Sequence, residues 1–407
     1  MGDVETSWRR PVHVVRGLFI RPHEDVRFSL TIWGSLALIS LAAAVVFGQF
    51  GCFLQVREWV VLWSRGLNVY AGTFGVDYPP NALVFLSPLL LFPVPHGELW
   101  FASLNMVICV MAAWSIVSLT SGYAGLTLTR VERLIYVLML LAWSPTRVAI
   151  WSGQTSPLLI LACCLALRMS EWSPVLAGLL LGFGASKPHL AFGFVLMAAF
   201  CRMWKVLIFA ALSAVGAAVV YAVSVHQSPS AVLWQYLTTL FTVYGGPTFY
   251  RGDVDLRPFF VDLSPTYVIG ERLYLATTAI TGLILLGLTW RSRARIEASV
   301  WVLAASLAWV TAFLPINRYG LLLIAPTVLL TLWRPPMKEW LLDVVAVVIA
   351  VIVADPPMLV RHGALNHLPH VIAQFGPFTH YIDRIVIGAC VAISYRGLAR
   401  AGSSPKA

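Results

Sequence analysis

Long apolar runs separated by short polar segments recur along the chain. The clearest cover residues 29–50, 98–120, 134–151, 204–226, 268–290, 299–316, 319–333, 339–355 and 378–396. Three shorter runs, 155–169, 174–186 and 188–201, follow Gln154, and Lys187-Pro188 separates the last two. A helix that crosses a bilayer needs about 20 predominantly apolar residues. The pattern therefore predicts an all-α polytopic membrane protein with about 12 transmembrane helices. One run fits poorly: "NALVFLSPLLLFPVP", residues 81–95, has only 15 residues. As a helix it reaches roughly 22 Å, against a hydrocarbon core of about 30 Å. It is either a short crossing or a half-helix that enters and leaves on one side.

Charge separates these two possibilities. If 81–95 does not cross and the other runs do, both termini are cytoplasmic and 18 of the 28 Lys and Arg residues lie on that side. If it crosses, everything after it inverts, and "RSRAR" (291–295) and "CRMWK" (201–205) face outward, against the positive-inside bias. The segment is accordingly read as a re-entrant half-helix on the outer face. Irregular backbone at membrane depth is tolerated only inside protein or beside a wet cavity, so this segment is the first pointer to a site. Outer segments long enough to help build one are 51–97, 227–267 and 356–377. In the first, "FLQVREWVVLWSRG" has the mixed polar and Trp-rich character of a helix lying in the interface.

Composition agrees with the pattern. Hydrophobic residues make up 59% of 407 and charged residues 11%, with a mean hydropathy of +0.81; soluble chains average about 25% charged. The domain reading is a basic cytoplasmic N-terminus (1–28), one transmembrane domain (29–398) and a short cytoplasmic tail (399–407). The first run has 22 residues, longer than the roughly 7–15 of a signal-peptide core, and is read as an uncleaved signal anchor. The net charge of +10 belongs to loops between apolar runs, not to a basic–aromatic module, so nucleic acid is not an expected partner. The six cysteines lie mostly in apolar runs with no CxxC and no Cys/His ligand spacing, and predict neither zinc nor disulfides. His362, His367, His370 and His380 also lack a metal-ligand spacing such as HExxH, so no metal is expected.

Several polar residues sit where chemistry would need them. Asp77, just before Tyr78-Pro79-Pro80, is either a turn acid capping the next helix or a general base whose pKa is raised by its apolar setting. Glu58, the only other acid in 51–80, is a solvated partner of Arg57 or an alternative base. Lys187 in "GFGASKPHL" is either a snorkelling lysine or a cation for a lipid-linked phosphate, with His189 nearby. Gln154 in "WSGQTSP" is a helix cap or a ligand for a sugar hydroxyl. Arg251, Arg257 and Arg318 contact headgroups or hold phosphate through their guanidinium groups.

The stretches "DYPPNALVFLSPLLLFP", "WSGQTSPLL" and "LAGLLLGFGASKPHLAFGFVL" followed by "RMWK" resemble, in that order, the polyprenyl-phosphate-sugar-dependent glycosyltransferases of the GT-C class. The likeness is to the family of bacterial α-1,2-mannosyltransferases and arabinofuranosyltransferases. "NRYGLLLIAPTVLL" resembles that family's late Tyr-containing segment, and the likeness covers roughly residues 50–335. It implies an inverting transferase of the plasma membrane. Such an enzyme works on the outer face, takes a polyprenyl-phosphate sugar as donor and a glycolipid or glycan as acceptor, and needs no further cofactor. Lys187, His189, Arg251, Arg257 and Arg318 are then candidates for the donor phosphate. Tyr78, Gln154, Trp59, Tyr70 and Tyr319 are candidates for sugar or acceptor. Related enzymes carry the base on an Asp close to the end of the first span; "FGCFLQVREW" has none there, which leaves Asp77 and Glu58 as candidates. A transporter would show two related halves and charges within its spans; no such repeat is present. A non-catalytic assembly subunit is the remaining alternative.

Overall fold

Prolines decide where the helices of this chain begin. The computed structural model describes residues 26–46, 48–71, 76–93, 96–244, 255–293, 298–314, 318–333 and 371–403; the side chains of 243–244, 318–319, 371–383 and 403 fall outside that description. In chain order the α-helices are α1 (Val26–Val46), α2 (Gly51–Ser64), α3 (Pro80–Phe85), α4 (Gly97–Tyr123), α5 (Arg130–Ala142) and α6 (Ser144–Trp151). They continue with α7 (Ser156–Met169), α8 (Pro174–Gly184), α9 (Pro188–Phe200), α10 (Trp204–Ser224), α11 (Pro229–Tyr244), α12 (Arg257–Asp262), α13 (Tyr267–Ser292), α14 (Ser299–Phe313), α15 (Ala325–Trp333) and α16 (Val371–Ser403). Among the described residues 3₁₀ turns cover Ser87–Leu91 and Arg318–Ile324. Proline occupies the first or second position of α3, α6, α7, α8 and α9. There its missing N–H costs nothing and its fixed φ suits a helix start, while the residue before it is driven out of the helical region.

Among the described residues five stretches are long and apolar enough to cross a membrane: α1, α4, α10, α13 and residues Arg384–Gly402 of α16. A sixth results if α5 and α6, which meet at a 60° bend, form one broken span. The expected count of about 12 would also need the shorter apolar helices and run 339–355. The runs 155–169, 174–186, 188–201, 299–316 and 319–333 form helices too short for a straight crossing, and the last opens with a 3₁₀ turn. Run 339–355 lies outside the described residues, as do the basic segment 1–25, the tail 404–407, Arg251, His362, His367 and His370. Run 81–95 forms no single long helix. It is a six-residue helix followed by the first 3₁₀ turn, and the chain becomes extended at Phe92.

The packing places the short helices side by side. α7 and α8 form one antiparallel pair, α8 lies along α10, and α9 lies along α14 and also touches α7. Small residues make the α8–α10 approach possible. A Cβ at Gly178 would collide with Phe209 and lie 2.8 Å from the Val206 carbonyl oxygen; one at Gly182 would collide with Ser213 and lie 2.8 Å from that of Ala210. Close backbone contact of this kind holds helices together where lipid supplies no hydrophobic drive. It accounts for the glycines of "AGLLLGFG" and fixes the end of α8 that leads into Lys187. α5 starts with a capping box in which the Thr129 side chain accepts from the Glu132 N–H and Glu132 accepts from the Thr129 N–H at 2.8 Å.

Among the described residues the buried apolar side chains form four clusters, and the second of these seats the candidate segments. The second holds Phe53, Trp59, Tyr70, Tyr78, Leu83, Phe101 and Tyr221. It joins α2, α3 and the ends of α4 and α10, and so seats the connecting segments rather than the spans. α3 packs against α10, and Arg57 donates to the Phe92 carbonyl oxygen at 3.1 Å, tying α2 to the end of the first 3₁₀ turn.

Candidate active site

Three distant sequence segments meet at Lys187. Pro188 pushes Lys187 into extended backbone (φ −124°, ψ 92°) at the start of α9, in the turn outside both helices. Its side chain is 4% exposed, and Nζ donates to Gln154 Oε1 at 2.8 Å and to Ser156 Oγ at 3.0 Å. It also lies 4.9 Å from the centre of the Tyr78 ring. The Tyr78 hydroxyl and Thr155 Oγ1 share a hydrogen bond of 2.9 Å. "DYPP", "WSGQTSP" and "SKPH" thus form one connected cluster. Asp77, half-buried, is close enough to raise the lysine's proton affinity.

Each segment is held by its own geometry. Gly153 has φ +68°, and a Cβ there would sit 2.7 Å from Phe53 Cβ. Only glycine makes this turn between α6 and α7 without strain. Asn105, fully buried in the span α4, donates Nδ2 to the carbonyl oxygens of Ala149 (3.3 Å) and Gln154 (3.1 Å), and so binds the broken backbone from the side. Gln154 Nε2 donates to Cys52 Sγ at 2.7 Å. Burial raises the Cys52 pKa, so Gln154 meets a neutral thiol. Tyr70 donates its hydroxyl to the Tyr78 carbonyl oxygen at 2.7 Å, and Trp59 abuts the Tyr78 ring edge-on at 5.9 Å. Gly153→Ala is expected to cost about 1–2 kcal/mol from backbone strain alone, plus the clash with Phe53. The purified variant's melting temperature measures the sum, and an unchanged value refutes the strain argument.

The geometry bears on three simpler roles. The N-cap position of α3 is held by Pro79, two residues after Asp77. Gln154 does not cap α7, whose N-cap is Thr155. Lys187 does not snorkel, because its ammonium is bonded inward to Gln154 and Ser156.

Other sequence-nominated residues stand apart or in support. Glu58 is exposed on α2, and Arg57 pairs with backbone. Trp59 and Tyr70 are buried, 4% and 5% exposed, and brace Tyr78 rather than present a free face. His189 opens α9 near Lys187, and its Nε2 is enclosed without a hydrogen-bond partner among the described residues. Arg257 belongs elsewhere: its Nε meets Glu271 Oε2 at 2.7 Å, and its N–H bonds Asp255 at 2.8 Å. Arg318 and Tyr319 open the second 3₁₀ turn, which packs on α6; their side chains fall outside the described residues, as does Arg251. Among the described residues no group of three or more His, Cys, Asp or Glu is placed to hold a metal ion. Sequence reasoning missed Asn105, Cys52, Thr155 and Ser156. Asn105 carried a usable signal, a lone amide inside an apolar run.

Burial lowers the Lys187 pKa from the ordinary value of 10.5 to about 8, with Asp77 and then Cys52 opposing the fall. The group is mainly cationic at neutral pH. A buried ammonium beside a carboxylate, a carboxamide and hydroxyls can hold an anion and stabilise charge that develops on it.

No curated protein matches the chain. The family model Glycosyltransferase family 87 matches residues 77–315, a span that opens at Asp77 and takes in Gln154 and Lys187. With more than half of its length matched, this membrane-embedded, all-helical chain belongs to glycosyltransferase family 87.

Proposed function

We propose that the enzyme moves a sugar from a polyprenyl-phosphate donor to a glycolipid or glycan hydroxyl, with inversion at the anomeric carbon, on the extracytoplasmic face of the plasma membrane. The observation that carries this is the cluster at Lys187: a buried cation, a nearby carboxylate and sugar-compatible amide and hydroxyl groups, joined from three segments. The charge bias of the loops supports the extracytoplasmic side: with the short helices α8 and α9 each crossing as a tilted segment, the Lys187 turn lies opposite the basic loops 201–205 and 291–295.

The chemistry follows from charge. The leaving group is a phosphate ester oxygen, which gains negative charge as the glycosidic bond breaks. Lys187 lies where an ammonium neutralises it, held by Gln154 and Ser156 so that little reorganisation is needed. Asp77 accepts the proton of the acceptor hydroxyl as that oxygen attacks the opposite face of the anomeric carbon. In this reading Glu58, exposed on α2, takes no part, and His189 assists at the phosphate.

The deciding experiment is transfer by the purified protein in lipid nanodiscs, using synthetic polyprenyl-phosphate sugars and a membrane glycolipid extract, with product mass as readout. Sugar-bearing product dependent on the lipid donor is expected; transfer only from a nucleotide sugar would overturn the reading. The Lys187 pKa gives a further prediction. The cationic form dominates below about 8, so donor affinity should be full below that pH and fall as pH rises through it. An ordinary lysine would hold its charge to about 10.4. Affinity constant to pH 9.5 would contradict a phosphate role for Lys187.

A further inference from the structure

The Lys187 cluster accounts for an anion but leaves two buried polar groups beside it unexplained. Asn81 is 7% exposed and Ser186 is fully buried. Asn81 Nδ2 and Ser186 Oγ find no hydrogen-bond partner among the described residues. Leaving such groups unpaired is costly, and neither belongs to the hydrogen bonds that hold Lys187, Gln154 or Tyr78 in place.

Two contacts bring their segments side by side. Tyr78 lies against the Lys187 ammonium. Seven residues on, the Phe85 ring meets the Phe183 ring at 5.8 Å. The chain from Tyr78 through α3 therefore runs alongside residues 183–187. Asn81 precedes Phe85 by four residues and shares its helix face. Ser186 follows Phe183 by one turn, with its N–H bonded to the Phe183 carbonyl oxygen at 3.0 Å. An amide donor from α3 and a hydroxyl from the turn after α8 thus come from neighbouring segments next to Lys187.

We infer that Asn81 and Ser186 form a sugar-selective subsite that hydrogen-bonds a hydroxyl of the transferred sugar. This rests on the phosphate reading of Lys187. The anomeric carbon is one bond from the phosphate oxygen, so a phosphate at Lys187 brings the sugar to the wall that Ser186 and Asn81 share. An amide N–H donates and a serine hydroxyl donates or accepts, a pair suited to a hydroxyl and of no use to a hydrocarbon tail. A site built to pair a hydroxyl discriminates strongly against a ligand that lacks it.

The test compares two probes on the full-length protein in nanodiscs: a polyprenyl-phosphate hexose and the same polyprenyl phosphate without sugar. The wild type should bind the sugar-bearing lipid more tightly. Asn81→Leu and Ser186→Ala should each cut that preference about tenfold, with affinity for the sugar-free lipid within about twofold. Lys187→Ala should weaken both lipids. An unchanged preference in both variants overturns the subsite, as does equal weakening of both lipids, or a change confined to the KM of the acceptor. If the wild type binds both lipids equally, the subsite fails and the phosphate reading stands. If it binds neither, the phosphate reading fails and the subsite with it. Ser186→Ala removes a single atom, so it decides the matter if Asn81→Leu does not fold.

Discussion

Asp77→Asn is expected to abolish transfer while leaving the protein inserted and able to bind donor. The asparagine keeps the size of the side chain and removes its capacity to take a proton. General-base loss costs about 10²–10⁴ in rate, so kcat should fall by that factor. The variant also carries a signature that a structural role would not produce. Asp77 raises the proton affinity of Lys187 against the effect of burial. Without the carboxylate, the lysine loses its proton at lower pH. The upper limb of the donor-affinity profile should therefore move toward neutrality. Single-turnover rates and donor titrations at several pH values read the two effects separately. A wild-type rate would remove Asp77 as base and return attention to Glu58, for which Glu58→Gln is the matching control.

Lys187→Ala is the second large effect. It takes away the cation at the leaving group and leaves Gln154 Oε1 and Ser156 Oγ without the donor that joins them. Loss of one preorganised group that stabilises developing charge typically costs about 10²–10³ in rate, and here the ground-state phosphate is bound by the same charge. Both donor affinity and kcat should fall. Lys187→Met, which keeps length and apolar packing, separates charge from shape and should be as inactive as the alanine variant. Unchanged donor affinity in both variants would refute the phosphate role.

Much of the site was legible as residue type and order. The break at Lys187-Pro188 follows from a proline that drives its predecessor into extended backbone. Gly153-Gln154 marks a turn that no other residue makes easily. The two prolines after Asp77 start a helix too short to cross. What the chain order could not provide was the pairing of these breaks. Asp77, Gln154 and Lys187 are far apart in sequence, and no local propensity says that they meet.

The sequence by itself determined the class of the molecule, because apolar runs of membrane length and an excess of loop cations need no partner to be read. It also determined where helices start and stop, through proline and glycine, whose effects act on their own backbone. Only the tertiary structure decided which polar residues share a site. It separated Glu58 and Arg257 from the cluster and drew in Asn105, Cys52, Thr155 and Ser156. The physical reason is that hydrophobic length and backbone restriction are properties of a segment, whereas a buried ammonium acquires its partners from whichever helix ends the packing of small residues such as Gly178 and Gly182 brings to the same level.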